Sequence, residues 1–337
     1  MAHQVTLEPS GHQFAAEDDQ TLLEAALDAG IHLPYGCRNG ACGACKAKVV
    51  AGEVDHGAAL DHALTPEDRA QGLTLTCCSR PLSDITLECR EASAEADIPV
   101  RMMPVRVESL VRAAPDVVVM KIRLPASERL QFLAGQYVEF LLKDGGRRAF
   151  SIANAPQEDR LLEFHLRLVP GGKFTEYAFG AMKEKEILRI EGPHGRFQLD
   201  EFSDRPIIFL AGGTGFAPVK SMVEYMLHNR IQRPTIIYWG ARDRSGLYLN
   251  EQAERWAAEH PHIRYVPVLS EPSAADAWNG RTGLVHRAVL EDRSDLSAFQ
   301  VYACGAPAMI EAAHRDFRAH GLPVEQFFSD AFTYAPR

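Results

Sequence analysis

Cysteines carry the clearest chemical signal in the chain. Cys37, Cys42 and Cys45 lie in the stretch YGCRNGACGACKAK with the spacing C-x4-C-x2-C, and two more cysteines follow in LTLTCCSRPL. This spacing, completed by one more distant cysteine, is that of the thiolate ligands of a [2Fe–2S] cluster. Cys77 is predicted to be the fourth ligand, and Cys78 is the competing candidate.

The residues between the cysteines are small, which suits a cluster. Bulky side chains would keep the loop from wrapping inorganic sulfide, and Gly36, Gly40 and Gly43 let backbone N–H groups turn toward sulfur. A structural zinc site is the alternative. It usually needs two C-x2-C pairs, and in this loop only Cys42 and Cys45 form one. The loop therefore favours a redox cluster.

Two later stretches could bind a phosphorylated ring compound. In RRAFSIANAP, Arg148 can clamp a phosphate, Phe150 can stack on a ring and Ser151 can donate a hydrogen bond. These residue types are also common on purely structural strands. In RLVPGGKFTEYAFG, a turn at Gly172 precedes a helix, and Thr175 with the helix N-terminus can hold a pyrophosphate.

Two further stretches join a buried strand to a helix through glycine. In IIFLAGGTGFAPVKSMVEYM, Gly212, Gly213 and Gly215 let the backbone approach a phosphate at the helix N-terminus. This is not the G-x-G-x-x-G fingerprint of the Rossmann fold. In VYACGAPAMIEAA, Cys304 is at the carboxyl end of a predicted parallel strand, where such sheets bind ligands.

These motifs fall in three predicted domains. The stretch EASAEADIP has small and acidic residues without apolar periodicity, and it predicts a linker at 92–100 after a domain at 1–91. Short β segments such as DVVVMKIRL, QYVEFLL and LEFHLRLV predict a β-barrel over 101–200. Strands and helices alternate over 201–337, which predicts a parallel sheet with helical crossovers.

Composition limits the function classes. The chain has 337 residues, 46% of them hydrophobic, and a net charge of −9, which argues against a nucleic-acid partner. It contains no apolar run of about eighteen residues, so no membrane span is expected. MAHQVTLEPS lacks the features of a secretory signal. We therefore expect a cytoplasmic protein, in which seven cysteines indicate metal or redox chemistry rather than disulfides. A monomer is expected.

The first domain resembles the plant-type [2Fe–2S] ferredoxins over about residues 3–90, through CRNGACGAC and LTC. The resemblance implies a β-grasp fold and a one-electron carrier. The motifs RAFS, GGKFT, AGGTGFAP and YACGAPAM, in this order, resemble the ferredoxin–NADP reductase superfamily over about 101–337. That resemblance implies a multidomain α+β protein, with a Greek-key β-barrel for FAD and an α/β domain for a nicotinamide dinucleotide.

As a whole, the chain resembles the single-chain reductases of bacterial oxygenases, and it is similar to the reductases of the CDP-6-deoxy-glucoseen pathway. The resemblance assigns a role to each motif. It implies that FAD is held by Arg148, Phe150, Ser151, Gly172 and Thr175, the dinucleotide by Gly213, Thr214 and Gly215, and that Ser151 and Cys304 lie at the reacting atoms. In FFSDAFTYA, Phe332 is expected beside the flavin, with Asp330 a weaker candidate. The usual tyrosine of the first motif is Phe150 here, which keeps stacking but loses a phenol hydrogen bond.

The resemblance implies an electron-transfer enzyme. NADH would supply electrons in pairs, FAD would pass them singly to the cluster, and a partner protein would receive them. The expected acceptor is a Rieske, diiron or P450 oxygenase, and a CDP-deoxysugar dehydratase is the alternative. A metal-binding interaction module without redox turnover is the alternative of another class. A reductase of free flavin would not need the cysteine loop.

The choice of coenzyme depends on IIYWGARDRSGLYL, just after the second predicted strand of the last domain. An acidic residue there favours NADH and a basic one favours NADPH, and the stretch offers Asp243 between Arg242 and Arg244. YWGAR followed by LYL is similar to NADH-using members of the family. We therefore expect NADH, with NADPH as the alternative.

Overall fold

The computed structural model describes residues 2–29, 31, 33–35, 40–89, 98–125, 130–158, 160–200 and 203–332. They form two compact units. The first contains the described residues up to 89 together with 329–332, and the second contains those from 98 to 328. Within the described ranges, no helix combines the length and the apolar character that a membrane crossing needs.

The first unit is a mixed sheet with a helix packed against it. Its elements are β1 (Ala2–Glu8), β2 (Gln13–Glu17), α1 (Leu22–Asp28), β3 (Lys46–Ala51), β4 (Val54–Asp55), α2 (Pro66–Ala70), β5 (Leu73–Leu75), β6 (Arg80–Pro81) and β7 (Ile85–Glu88). The sheet has the order β2-β1-β7-β3-β5, in which only β1 and β7 are parallel, and β4 pairs with β6. This is the expected β-grasp fold.

Helix α1 anchors the segment that follows β5. Thr21 and Glu24 form a reciprocal cap, because the Thr21 backbone N–H donates to Glu24 Oε2 (3.1 Å) and the Glu24 N–H donates to Thr21 Oγ1 (3.2 Å). Leu22 and Leu23 are fully buried. The Leu22 N–H donates to the carbonyl of Ser79 (3.0 Å), so the start of the helix holds the segment that contains Cys77.

The second unit begins with an antiparallel barrel. Its elements are β8 (Arg101–Ala114), β9 (Val117–Arg123), β10 (Tyr137–Leu141), β11 (Arg147–Ser151), β12 (Leu161–Arg167), α3 (Lys173–Gly180) and β13 (Ile187–His194). The order is β11-β10-β13-β8-β9-β12. The two edges meet where the Ala153 N–H donates to the Glu163 carbonyl (2.8 Å) and the Glu163 N–H donates to Asn154 Oδ1 (2.8 Å). The expected barrel is confirmed.

Strand β12 is buried on both faces. Leu162, Phe164 and Leu166 alternate into the barrel core and are 0% exposed. Glu163 and His165 point to the opposite face, yet they are only 7% and 4% exposed. An antiparallel strand usually has one solvated face, so the burial of this one shows that the rest of the second unit covers it.

That remainder is an α/β part with a mostly parallel sheet. Its elements are β14 (Ile207–Gly212), α4 (Phe216–His228), β15 (Thr235–Ala241), α5 (Asn250–Glu259), β16 (Ile263–Leu269), β17 (Arg281–Thr282), α6 (Val285–Asp292), β18 (Gln300–Gly305), α7 (Pro307–Ala319) and β19 (Phe327–Ala331). The strand order is β17-β16-β15-β14-β18-β19. The first five strands in this order are parallel to one another. The chain reverses direction across the sheet between β14 and β18, and such switch points bind ligands.

Candidate functional site

Two of the predicted cluster ligands, Cys45 and Cys77, lie together in the first unit. The Sγ atoms of Cys45 and Cys77 are 3.2 Å apart, and both residues are buried. The backbone N–H of Thr76 donates to the carbonyl of Cys45 (3.1 Å), which ties the two ligand segments together. Cys42 is half-buried at the same loop. Two buried thiols and a partly exposed one fit a cluster near the protein surface.

Two glycines of the cysteine loop, Gly40 and Gly43, have backbone conformations that favour glycine. Gly40 and Gly43 have φ angles of +77° and +73°, where side chains are disfavoured. A Cβ atom at Gly40 would lie 2.7 Å from Cys78 Sγ and 3.0 Å from the carbonyl oxygen of Ala58. At Gly40 the preference for a small residue is therefore steric.

Cys37 and Gly36 lie outside the described residues. Cys78 is half-buried, and its Sγ is 3.6 Å from that of Cys77. The structure also adds a contact that sequence reasoning missed, because Ser329 Oγ donates to the carbonyl of Cys42 (3.4 Å). This contact falls within the first unit.

In the barrel, the structure brings the two predicted flavin motifs together. The ring of Phe150 at the end of β11 packs against Phe140 (5.8 Å between centroids) and Phe174 (5.4 Å). Phe174 belongs to the first turn of α3. Ser151 is buried beside them at 6% exposure. An aromatic side chain, a hydroxyl and a helix N-terminus thus lie at one end of the barrel.

The phosphate-binding candidates lie at the same end. Arg148 is half-buried, and its guanidinium donates to the carbonyl of Arg147 (2.8 Å). Gly172 is the N-cap of α3, and Thr175 Oγ1 accepts a hydrogen bond from the Val169 N–H (3.1 Å). Thr175 therefore fixes the turn, and the N–H groups of the first turn of α3 are those suited to an anion.

The glycine turn (Gly213–Gly215) and Cys304 meet at the switch point of the parallel sheet. Gly213 has a φ of +54°, and Thr214 is 8% exposed. A Cβ atom at Gly215 would lie 2.1 Å from the carbonyl oxygen of Cys304, so only glycine lets the turn approach β18. Cys304 is 0% exposed and pairs with Ala211.

Two residues at this turn were not predicted. The Arg167 guanidinium of β12 lies beside the turn, since a Cβ at Gly213 would be 2.9 Å from its Nη1. Trp239 Nε1 donates to the carbonyl of Gly213 (2.9 Å). The only local sequence signal for Arg167 is its position three residues before the PGG turn. For Trp239 the sequence offers none, because its contact depends on the pairing of β14 with β15.

Two charged side chains of the loop predicted to choose the coenzyme make hydrogen bonds within the protein. Asp243 Oδ1 accepts from the Gly246 N–H (3.1 Å) and caps a short turn. The Arg244 N–H donates to Asp276 Oδ1 (3.0 Å), and its guanidinium donates to the Asp276 carbonyl (3.2 Å). Arg242 is exposed. Asp243 thus has its partner within the loop, whereas Arg244 is held by Asp276, 32 positions further along the chain.

The carboxy-terminal candidates belong to the first unit. Phe332 is half-buried and Asp330 is 8% exposed. Both fall among residues 329–332, which group with the cluster-bearing unit. The placement of Phe332 beside the flavin stays a prediction.

Among the residues that the structure describes, one other group of ligand-type atoms lies in the barrel, formed by Glu139, Glu191 and His194. Arg147 already pairs with both carboxylates, at 2.8 Å from Glu139 and 2.5 Å from Glu191. These contacts raise the pKa of Arg147, chiefly through Glu191. The guanidinium supplies the positive charge that a metal ion would otherwise bring.

Three domain families match this chain in the order that the sequence predicted. The 2Fe-2S iron-sulfur cluster binding domain matches residues 5–82, the oxidoreductase FAD-binding domain 104–199 and the oxidoreductase NAD-binding domain 209–315. Together they define a flavin and iron–sulfur oxidoreductase that uses a nicotinamide coenzyme.

Full-length relatives extend this result. The chain is 46% identical over 332 residues to the CDP-6-deoxy-L-threo-D-glycero-4-hexulose-3-dehydrase reductase of Yersinia pseudotuberculosis, covering 98% of this chain and 99% of that protein. It is 38% identical to the reductase component DmpP of phenol 2-monooxygenase from Pseudomonas, covering 98% and 95%. The crystal structure of the Amycolatopsis cytochrome P450 reductase GcoB matches with a TM-score of 0.78 and 35% identity, covering 98% and 99%. The chain belongs to this family of single-chain ferredoxin–flavin reductases.

The protein is thus an NAD(P)H-dependent oxidoreductase whose cofactors are a [2Fe–2S] cluster, FAD and a nicotinamide dinucleotide. When bound, FAD accepts electrons as a pair, and the cluster passes them one at a time to a protein acceptor. The described residues fit these groups: soft thiols in the first unit, an aromatic and a helix N-terminus in the barrel, and a glycine turn at the switch point.

Proposed function

We propose that the protein passes electrons from NADH, through FAD and then the [2Fe–2S] cluster, to a dehydrase that acts on a CDP-linked 6-deoxyhexulose. The observation that carries the choice of acceptor is the 46% identity to the Yersinia dehydrase reductase across almost the whole of both chains. The oxygenase reductase components match at 35% to 38%.

In this proposal the cluster is held by Cys37, Cys42, Cys45 and Cys77. The 3.2 Å separation of the Cys45 and Cys77 sulfurs and the burial of both residues support the assignment of Cys77. Deprotonated thiolates are the ligands that such a cluster requires. Cys78 is then a neighbouring thiol that does not bind iron.

The flavin and coenzyme roles follow the grouping of the motifs. FAD is proposed to be held by Arg148, Phe150, Ser151, Gly172, Thr175 and Phe332, and the dinucleotide by Gly213, Thr214 and Gly215. Ser151 and Cys304 are proposed at the reacting atoms, since both are buried, Ser151 at the end of β11 next to Phe150 and Cys304 on β18 against Gly215. Their task is to orient the rings and exclude water.

NADH is proposed as the coenzyme, and steady-state kinetics with both coenzymes test this choice. The specificity constant should be higher for NADH than for NADPH. Arg242→Ala should raise KM for NADPH and leave that for NADH nearly unchanged, because Arg242 is the arginine of this loop best placed to meet a 2′-phosphate from solvent. A wild-type preference for NADPH would contradict the proposal.

The acceptor is tested by coupled turnover. We expect NADH oxidation to depend on a purified CDP-6-deoxyhexulose 3-dehydrase together with its CDP-sugar substrate. The control is the same mixture without the sugar, which should give only slow background oxidation. Turnover with an oxygenase component, and none with the dehydrase, would overturn the choice of acceptor while leaving the reductase assignment intact.

An oxygenase component is the second candidate acceptor. It is favoured by the relatives named for phenol 2-monooxygenase and terephthalate 1,2-dioxygenase, and by the match to the P450 reductase GcoB at 35% identity. The same assay, run with a Rieske, diiron or P450 component and its substrate, measures this candidate directly.

We also propose the domain limits 1–91, 101–200 and 201–337 with a linker at 92–100, a monomeric state and a cytoplasmic location. Residues 90–97 lie outside the described ranges. Limited proteolysis should cut first near the linker, and the fragments should retain the iron–sulfur and the flavin absorbance separately. Size-exclusion chromatography with light scattering measures the oligomeric state.

A further inference from the structure

We propose that His165 and Tyr248 form a strut that positions the glycine turn against the flavin barrel, and that this strut controls coenzyme binding rather than flavin binding. The proposal rests on the proposed role of Gly213–Gly215 in holding the dinucleotide. His165 and Tyr248 are positioning residues, since neither is placed at the reacting atoms.

The strut is a chain of hydrogen bonds across the second unit. Tyr248 OH is 2.8 Å from His165 Nδ1, and His165 Nε2 is 3.0 Å from Glu163 Oε1. His165 and Glu163 lie on β12 of the barrel, whereas Tyr248 follows β15 of the α/β part. The two residues in contact are 83 positions apart in the sequence.

The protonation states of Glu163 and His165 fix the direction of both hydrogen bonds. Burial raises the pKa of Glu163, but the His165 hydrogen bond and the Lys220 and Lys121 charges outweigh it, so the net pKa is lowered and the carboxylate only accepts. Burial lowers the pKa of His165, so its ring is neutral. His165 Nε2–H therefore donates to Glu163, and Nδ1 accepts from Tyr248.

Tyr248 extends the strut to the glycine turn. Its ring meets Trp239 edge-on, with centroids 5.2 Å apart and an interplanar angle of 90°. Trp239 Nε1 donates to the carbonyl of Gly213, and the Trp239 ring stacks on Phe216 at 3.8 Å. Each step from β12 to the turn is thus a direct contact between packed groups.

A second set of contacts holds the helix that follows the turn. Lys220, in the second turn of α4, lies 3.2 Å from Glu163 Oε1 and 2.8 Å from Glu224 Oε1. Ser221 Oγ donates to the carbonyl of Asn154 (2.7 Å). Glu163 is thus shared by His165 and Lys220, and β12 fixes both the approach to the turn and the helix behind it.

The buried hydrogen bonds of the strut fix the position of the glycine turn more closely than apolar packing can. Apolar packing alone would hold the two sheets together but would tolerate sliding, whereas buried hydrogen bonds break when partners shift by about an ångström. Coenzyme affinity depends on the turn lying at its working distance from the barrel. Loss of the strut is therefore expected to weaken coenzyme binding while the flavin motifs, at the end of β11 and at α3, stay intact.

The test is Tyr248→Phe, which removes one hydroxyl and keeps the ring. We expect KM for NADH to rise about fivefold to tenfold, the value of one hydrogen bond, with kcat for ferricyanide reduction within about twofold and FAD content unchanged. His165→Leu should raise KM by at least as much, and the double variant should add little to it. His165→Gln, which can accept from Tyr248 and donate to Glu163, should recover part of the affinity.

Tyr238→Phe is the matched control. Tyr238 OH also makes one hydrogen bond in the same α/β part, but its partner is Asp292 Oδ2 (2.8 Å) at the end of α6, which is not part of the strut. The KM of Tyr238→Phe for NADH should equal that of the wild type, even if Tyr238→Phe and Tyr248→Phe lower the melting temperature equally. Equal KM values for Tyr248→Phe and Tyr238→Phe would overturn the proposal, and so would loss of FAD from Tyr248→Phe. Failure of the wild type to oxidise NADH would instead contradict the proposed function.

Discussion

A cysteine ligand can be tested by replacing one sulfur with oxygen. Cys42→Ser should abolish the iron–sulfur absorbance and leave FAD bound, because Arg148, Phe150 and the turn at Gly172 belong to the other unit. Ferricyanide, which takes electrons from flavin, should still be reduced by NADH. Reduction of cytochrome c, which depends on the cluster, should fall to near background. Cys89→Ala is the control, since Cys89 is a buried core residue of the same unit. Two irons and two sulfides per chain in Cys42→Ser would contradict the ligand assignment.

Two adjacent arginines of β11 separate a cofactor contact from a structural one. Arg148→Ala should weaken FAD binding about tenfold to a hundredfold, because a charged hydrogen bond contributes about 1.5–3 kcal/mol. Arg147→Ala should leave FAD affinity unchanged, since Arg147 pairs with Glu139 and Glu191 on the barrel. Flavin fluorescence after dialysis measures both. Equal retention of FAD by the two variants would contradict the assignment of Arg148 to the FAD site.

The burial of β12 makes the second unit sensitive to acid. Burial lowers the pKa of His165; the Glu163 carboxylate acts in the opposite direction, and Lys220 and Lys121 add to the lowering. Tyr248 is the other group at the ring. The unfolded chain takes up a proton near the ordinary pKa of about 6.5, whereas the folded chain does so only at lower pH. His165 should therefore lower the free energy of unfolding as the pH drops below about 6.5, and this one group contributes at most about 1.4 kcal/mol per pH unit.

Urea unfolding at pH 5, 6 and 7 measures this slope. Trp239, Trp256 and Trp278 are the only tryptophans and all lie in the second unit, so their fluorescence reports that unit alone. His165→Leu should reduce the dependence between pH 5 and 7, because its side chain takes up no proton in either state. A smaller slope should remain, since burial also lowers the pKa of His262 and His286. An unchanged slope in that variant would show that His165 titrates alike in the folded and unfolded chains.

The sequence predicted the elements whose signals are local. The C-x4-C-x2-C spacing, the alternation on β12 and the strand–glycine–helix stretch at β14 each lie within about twenty residues. The strut, by contrast, joins His165 to Tyr248 across 83 positions, and Arg167 reaches the glycine turn from another sheet. Such contacts depend on how two sheets pack, which periodicity does not encode. A histidine between Phe164 and Leu166 is equally typical of a solvated strand face.

At the scale of the whole molecule, charge is divided unevenly. Residues 1–97 carry 16 Asp or Glu and six Lys or Arg side chains. Residues 98–337 carry 29 Asp or Glu and 30 Lys or Arg side chains. The net charge of the chain thus belongs almost entirely to the cluster-bearing part. An acidic surface attracts a basic partner over distances comparable to the Debye length, and salt screens that attraction.

Salt should therefore slow electron transfer to basic acceptors. The second-order rate constant for reduction of cytochrome c, a basic protein, should fall severalfold between about 10 mM and 300 mM salt, because the Debye length shrinks from roughly 30 Å to under 8 Å. Reduction of an uncharged quinone is the control and should not change. A cytochrome c rate independent of salt would show that the acidic part does not guide the encounter.

The indole of Trp239 has an optical consequence. It stacks on Phe216 and bonds to the Gly213 carbonyl at the turn proposed to bind the coenzyme. Tryptophan emission overlaps the absorption of reduced nicotinamide, and radiationless energy transfer grows steeply as donor and acceptor approach. In flavin-depleted protein, where no hydride can leave the coenzyme, added NADH should quench indole emission and sensitise its own. Such quenching would report occupancy of the turn without turnover or an attached label.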